Sequence, residues 1–308
     1  MSAVDAVLLI AFGGPERPED VRPFLQIVTE GRRIPPERLE EVAHHYEAIG
    51  GRSPLNALTR RQADALRGRL AAAGHPMPVW IGMRNWHPFL HESLAEMKDR
   101  GVRRALGIIL SSLATEASWE RYVQDVAAAR DKVGPDAPQV ICAPTWGAHP
   151  LFLDAIADRA RAALAAVPAA GRAAARLVFT AHSVPVAMAA GSPYAEQLAH
   201  AAASVAARLD RAAWSIAYQS RSGSPRDPWL EPDVNEVIRR LAAEGARDVV
   251  VVPIGFVCDH VEVLYDLDVE ARAVAASCGI GFHRAAAAND HPAFVAMLAD
   301  LVHRGAAA

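Results

Sequence analysis

The chain reads as an α/β protein made of two similar Rossmann-like domains, each a four-stranded parallel sheet flanked by helices. Two observations lead there. Eight short apolar runs alternate with segments of helical periodicity, the order that βαβ units require. The chain also repeats itself. Leu8-Leu-Ile-Ala-Phe12-Gly-Gly-Pro15 aligns with Val178-Phe-Thr-Ala-His182-Ser-Val-Pro185, so Phe12 falls where His182 sits. Gly101 and Gly245 each end a helical pattern before an apolar run, as glycines just past a helix C-terminus do. A helix–strand grammar shared without true duplication is the weaker account of the same pattern.

In chain order, the strand-like runs are 7–12, 79–83, 105–110, 139–143, 177–180, 215–218, 249–254 and 280–283. Helical periodicity is clearest over 37–49, 61–72, 90–99, 151–166 and 234–244. The expected domains are 1–149 and 150–308, joined near His149-Pro150 and facing a common cleft, with a C-terminal helix able to pack back on the first domain. The second domain carries the expected metal-site His and Glu.

Composition narrows the function. The chain has 308 residues, 52% of them hydrophobic, with a net charge of −3 and no block of Lys or Arg. It lacks the electrostatic footprint of a nucleic-acid binder. Its three cysteines, Cys142, Cys258 and Cys278, form neither a disulfide framework nor a metal-type spacing. No run approaches the roughly 18 apolar residues needed to span a bilayer, and the first residues lack a basic signal-peptide start. A cytoplasmic protein without an integral membrane segment is expected.

The segment Leu177-Val-Phe-Thr-Ala-His182-Ser-Val-Pro185 is the most informative one. An apolar run stops at a histidine, a serine and a proline, which reads as a buried strand with His182 at its carboxyl tip. Open α/β sheets bind ligands outside those tips. A histidine there can ligate a metal or move a proton near neutral pH. A core histidine satisfied by a backbone carbonyl is the structural alternative.

The run 249–254 leads into Gly255-Phe-Val-Cys-Asp-His260-Val-Glu262-Val-Leu-Tyr-Asp266-Leu-Asp-Val-Glu270. Glu262, Asp266 and Glu270 are four residues apart, which lines them along one helix face. An exposed acidic face is the bland explanation. Against it, the helix starts at an expected sheet tip, beside Asp259 and His260. A row of oxygen ligands can lead a divalent cation inward, and a histidine with a glutamate suits a borderline metal such as Fe²⁺. Other expected strand-end segments carry Ser53, with Tyr46 on the helix before it, Tyr122, Gln219-Ser220-Arg221 and Asp227-Pro-Trp229-Leu. Aromatic walls with Arg and hydroxyl donors suit a flat anionic ring.

These segments resemble the ferrochelatase family. The resemblance rests on the His182 and Glu262 motifs, on Phe-Gly-Gly-Pro, Gly-Gly-Arg-Ser53-Pro-Leu-Asn and Tyr-Gln-Ser-Arg-Ser-Gly, and on Pro-Trp-Leu-Glu-Pro, in family order over nearly the whole chain. The soluble actinobacterial-type coproporphyrin III ferrochelatases are the most similar branch in appearance. The resemblance implies a chelatase class II-like fold and a lyase-class metal chelatase of haem and porphyrin biosynthesis. It would insert Fe²⁺ into coproporphyrin III to give coproheme. It implies His182 and Glu262 as catalytic residues and iron ligands, and Ser53, Tyr122, Phe12 and Tyr46 as porphyrin contacts. Asp266 and Glu270 would be the metal-delivery ladder. Iron is then a substrate, and no permanent cofactor is expected. The chain is expected to act as a monomer, with transient contact to the next haem-pathway enzyme.

Two departures from relatives matter. Some carry a tyrosine at Phe12, and phenylalanine has no atom to offer iron. Some carry a [2Fe–2S] cluster on four cysteines, and three cysteines cannot build a Cys₄ site within one chain. The rival readings are a protoporphyrin IX ferrochelatase, a chelatase for another tetrapyrrole, and a two-lobed haem or metal carrier.

Overall fold

A computed structural model describes residues 4–31, 34–222 and 227–307. Gly223, the last residue of the Tyr-Gln-Ser-Arg-Ser-Gly motif, lies outside the described residues. The chain divides into two compact units. The first comprises residues 1–111, 117–144 and 290–308, and the second residues 112–116 and 145–289. The sequence reading drew this line at 149/150. In the structure the C-terminal helix Pro292–Ala307 belongs with the first unit, where it packs on the helix Leu55–Ala72 and on that unit's sheet.

The first unit holds β1 (Ala6–Ala11), β2 (Val79–Met83), β3 (Arg104–Ile109) and β4 (Gln139–Cys142) in the order β2-β1-β3-β4, all parallel. β1 is apolar at every position because both its faces are covered. Leu8, Leu9 and Ile10 are fully buried, each contributing about 1.5–3 kcal/mol relative to exposure. On one face Leu8 and Ile10 meet Leu90, Leu94 and Met97 of the helix Leu90–Asp99, and Tyr122 and Val126 of the helix Arg121–Val133.

The second unit repeats this plan. It holds β5 (Arg176–His182), β6 (Trp214–Gln219), β7 (Asp248–Val252) and β8 (Gly281–Arg284) in the order β6-β5-β7-β8, again parallel. Val178, Val249 and Val251 pack on Val234, Val237, Ile238 and Leu241 of the helix Val234–Ala243. Gly101 and Gly245 have φ of 79° and 87°. Both turn the chain out of a helix through the left-handed region that suits glycine.

Two strand ends differ by two residues from the sequence reading, the others by at most one. β7 stops at Val252 rather than Ile254, because Pro253 has no N–H for the ladder. β5 runs two residues further than its apolar stretch, so His182 lies within the sheet, in register with Gln219. Among the described residues, no helix is long and apolar enough to cross a membrane.

Candidate functional site

The site forms where β5 and β7 leave the second sheet. These central strands connect outward in opposite directions, to β6 and to β8, so the gap between their carboxyl ends is the sheet's switch point. His182 closes β5. Its Nδ1 lies 2.5 Å from the Ser183 carbonyl oxygen. A carbonyl only accepts, so Nδ1 carries the proton and, in the neutral ring, Nε2 keeps its lone pair. The main chain around the ring is held as firmly. The Tyr194 hydroxyl donates to the His182 carbonyl at 2.7 Å, and the Ser183 amide donates to Gln219 at 2.7 Å. Gly255 follows β7 and donates to the Thr180 carbonyl at 3.0 Å. A Cβ on Gly255 would stand 2.5 Å from Ala181 Cβ, so only glycine lets this loop pass so close under the β5 tip.

Glu262 arrives from the other side of the gap, on the first turn of the helix Val261–Tyr265. His260 is its N-cap, accepting from the Glu262 amide through Nδ1 at 3.2 Å. The cap therefore fixes the proton of His260 on Nε2, and burial lowers the pKa of this ring. Gln219 donates from Nε2 to the Glu262 carbonyl at 2.6 Å, tying the helix to the strand beside His182. The result is a gap of 3.4 Å between His182 Nε2 and Glu262 Oε1, with side chains 29% and 37% exposed.

Burial works against charge on both partners, and the pair overcomes it. Burial lowers the His182 pKa, but the Glu262 charge, its hydrogen bond and the Ser183 carbonyl raise it further, for a net rise. Burial raises the Glu262 pKa, but the His182 and His260 rings bring it down to about 2. Each partner thereby favours the charged form of the other, and with it a proton on the ring. A cation that takes Nε2 must displace it.

The acidic row continues from Glu262 in graded surroundings. Asp266 accepts from the Ser220 hydroxyl, and Ser220 adopts a left-handed backbone to reach it (φ 62°), which is uncommon outside glycine. Burial, together with the charges of Glu262 and Glu270, pushes the Asp266 carboxyl up to about 7. Glu270 is exposed. Asp266 and Glu270 lie in a π-type widening, Asp266–Ala271, of the helical run that ends at Ser277. Such widenings are rare and recur at functional sites.

The first unit holds the remaining sequence-derived candidates. Phe12, just beyond β1, is 38% exposed and meets Phe24 edge-on at 6.3 Å. Phe24 in turn contacts Tyr46 at 6.1 Å and Trp86 at 6.0 Å. Tyr46 is buried behind this stack. Ser53 is also buried, its amide donating to the Pro15 carbonyl at 2.8 Å and its hydroxyl accepting from Leu55 at 3.3 Å. Asn56 exchanges two 3.0 Å hydrogen bonds with Gly14 and so locks the loop after β1 to this segment. Tyr122 is buried beneath the Arg84 guanidinium, 5.4 Å from the ring centre, and burial raises its hydroxyl pKa.

The structure thus joins His182, Glu262 and Asp266 in one unit, and Phe12 with Tyr46 through Phe24 in the other. Sequence reasoning missed Tyr194, Arg84 and Arg284. The only advance signal for Arg284 was a lone charge ending the last apolar run.

Two matching four-stranded parallel sheets flanked by helices define a protein of the chelatase fold class, here with an imidazole–carboxylate pair at one switch point. Its fold is shared by the sirohydrochlorin chelatase of Bacillus subtilis subspecies spizizenii, solved in complex with cobalt. That match has a TM-score of 0.59 and 12% identity, covering 98% of this chain and 95% of the other. Sequence goes further: the ferrochelatase family model matches residues 4–306, and the chain belongs to that family. The coproporphyrin III ferrochelatase of Mycolicibacterium vanbaalenii is 45% identical over 303 residues, covering 97% of this chain and 89% of the relative. The protein of the same name from Nocardia farcinica is 47% identical over 308 residues, with 97% and 88% covered.

Proposed function

We propose that this chain inserts Fe²⁺ into coproporphyrin III, with His182 and Glu262 as the last protein ligands of the iron. The observation that carries the reading is His182 Nε2 facing Glu262 Oε1 at 3.4 Å while Nδ1 is committed to Ser183. In this reading Fe²⁺ displaces the proton shared by the pair and is held by nitrogen and oxygen together. As iron passes to the ring, two pyrrole protons leave. The freed imidazole, whose pKa is raised, takes one of them at Nε2, and the freed Glu262 carboxylate takes the other and passes it to water. Asp266 and Glu270 feed iron inward. Phe12, Ser53, Tyr46 and Tyr122 serve the porphyrin, with Tyr46 acting through the Phe24 stack. Iron is a substrate here, and the reaction needs no resident cofactor.

The choice of coproporphyrin follows relatives named for it at 45–47% identity. Its four propionates offer more anionic handles than the two of protoporphyrin IX, and each charged hydrogen bond contributes roughly 1.5–3 kcal/mol. Anaerobic kcat/KM with both porphyrins is the test. At least about tenfold preference for coproporphyrin III, or ~1.4 kcal/mol, is expected. A preference for protoporphyrin IX reverses the substrate and leaves the iron chemistry standing.

A further inference from the structure

Arg284, the last residue of β8, has no part in the chemistry above, yet it is the most constrained cation near it. Its side chain is only 13% exposed. Nη1 donates to Asp259 Oδ1 at 2.9 Å, while Nε and Nη2 each reach Asp268 Oδ2 at 2.8 Å. One planar fork therefore grips the chain on both sides of Glu262. It holds the loop just before the helix and the π-type turn just after it. Asp259 is fixed further by the Ala287 amide at 3.1 Å and by Asn289, which donates to it at 2.8 Å and accepts from its amide at 2.9 Å. Arg272 also reaches Asp268, at 3.1 Å, but it is half-exposed and does not touch Asp259.

We propose that Arg284 is a positioning residue for the metal centre, clamping Asp259 and Asp268 so that Glu262 faces His182. This rests on the reading of His182 and Glu262 as iron ligands. A widened turn replaces the ordinary ladder with i→i+5 bonds, a rare geometry that recurs at functional sites, and here one guanidinium grips both the turn, at Asp268, and the loop before its helix, at Asp259. Without the clamp, two anions flanking Glu262 lose their shared cation, and the segment carrying Glu262 loses its tie to the sheet on the β8 side. Ala287 and Asn289 then keep only Asp259, and Gln219 and Ser220 hold the segment from the β6 side. Lysine is a point charge and cannot bridge two carboxylates as a guanidinium fork does.

The test compares Arg284→Ala and Arg284→Lys with the wild-type chain. It uses Zn²⁺ calorimetry as an air-stable probe, coproporphyrin fluorescence titration, and iron-insertion kinetics. Partners that orient metal ligands typically control affinity by about 10–100-fold. Arg284→Ala is expected to weaken Zn²⁺ binding and raise the KM for Fe²⁺ within that range, with porphyrin affinity retained. Arg284→Lys should recover little. A variant that melts earlier but binds Zn²⁺ and Fe²⁺ like wild type would show a purely structural role and overturn the proposal. Should Arg284→Ala not fold, Asp268→Asn loosens only the helix side of the clamp. A smaller loss of Zn²⁺ affinity supports the proposal, and unchanged affinity overturns it. Equal Zn²⁺ binding by wild type and His182→Ala would sink the metal-site reading itself. Intact wild-type binding with insensitive Arg284 variants would sink only the clamp.

Discussion

The two units use one sheet plan for different ends. Each orders its strands with the second at one edge, the first and third in the centre and the fourth at the other edge. Each third strand leads to a helix with a π-type turn, at Glu116–Glu120 and at Asp266–Ala271. At the aligned tips of β1 and β5 the units part. Phe12 stands on an aromatic stack of Phe24, Tyr46 and Trp86. His182 donates to the Ser183 carbonyl, accepts at its own carbonyl from Tyr194, and opposes Glu262, while the Ser183 amide donates to Gln219. The sheet places a side chain at the switch point, and a single position decides whether it offers a ring face or a lone pair.

The strongest way to break this contrast is at His182. His182→Ala is expected to lower iron insertion by about 10²–10⁴-fold, with porphyrin binding largely retained by fluorescence titration. Adding Phe12→His to that variant should restore nothing, since the first unit has no carboxylate counterpart of Glu262 among the site contacts described. Near-wild-type turnover by folded His182→Ala would end the assignment.

Glu262→Gln tests the proton shared by the pair. Iron takes Nε2 only from a neutral ring, so activity should rise with pH through the His182 pKa. Removing the carboxylate leaves burial as the main influence, which lowers that pKa. The acidic limb of kcat/KM for Fe²⁺ should therefore move to lower pH, on top of a severe loss of rate. An unshifted limb would mean that Glu262 does not set this proton. Stability follows the same pair with opposite signs. The Glu262 contribution is complete above its ordinary 4.5 and is lost as pH falls toward 2. The His182 contribution is complete below 6.5 and is lost as pH rises through its raised value.

Phe12→Ala sharpens the other side of the contrast. Loss of one ring face should weaken porphyrin binding by about 0.5–1.5 kcal/mol and leave kcat nearly unchanged in saturating porphyrin. A kcat effect as large as that of His182→Ala would erase the difference between the tips. The smallest effects are expected along the acidic row. Asp266→Asn should raise the KM for Fe²⁺ more than Glu270→Gln, because Asp266 is held by Ser220 near Glu262 while Glu270 is exposed. Steady-state iron titrations check the order, and equal effects would favour a solvated acidic face.

The strands were legible because a parallel sheet covered on both faces leaves a continuous apolar run for each one. All eight appear within two residues of the expected ends. The exception in kind is β5, whose ladder continues through polar His182, since strand pairing there depends on Gln219 rather than on hydrophobic pattern. The places of His182, at a strand tip, and of Glu262, on the helix entered after the next central strand, were legible because each lies within a few residues of an apolar run. Arg284 was not, because a lone arginine at a strand end says nothing about two aspartates from other segments converging on it. The π-type turn was equally hidden, since four-residue spacing looks the same in a regular helix. For the helix Pro292–Ala307 the sequence offered the first domain as a partner, and tertiary packing sets the helix Leu55–Ala72 and β3 as the surfaces it meets.

That return of the last helix has a consequence for synthesis. The second unit draws nearly all its chain from residues 145–289, with a short piece, 112–116, made earlier. The first unit needs residues 290–308 as well, and Gly305 fits closely over Leu106 of β3. On the ribosome the half encoded later therefore has all its parts first. The half that begins the chain waits, with one flank of its sheet bare, until the final residues emerge. A chain ending at residue 289 would keep every residue around His182 and Glu262 and leave the opening domain unfinished.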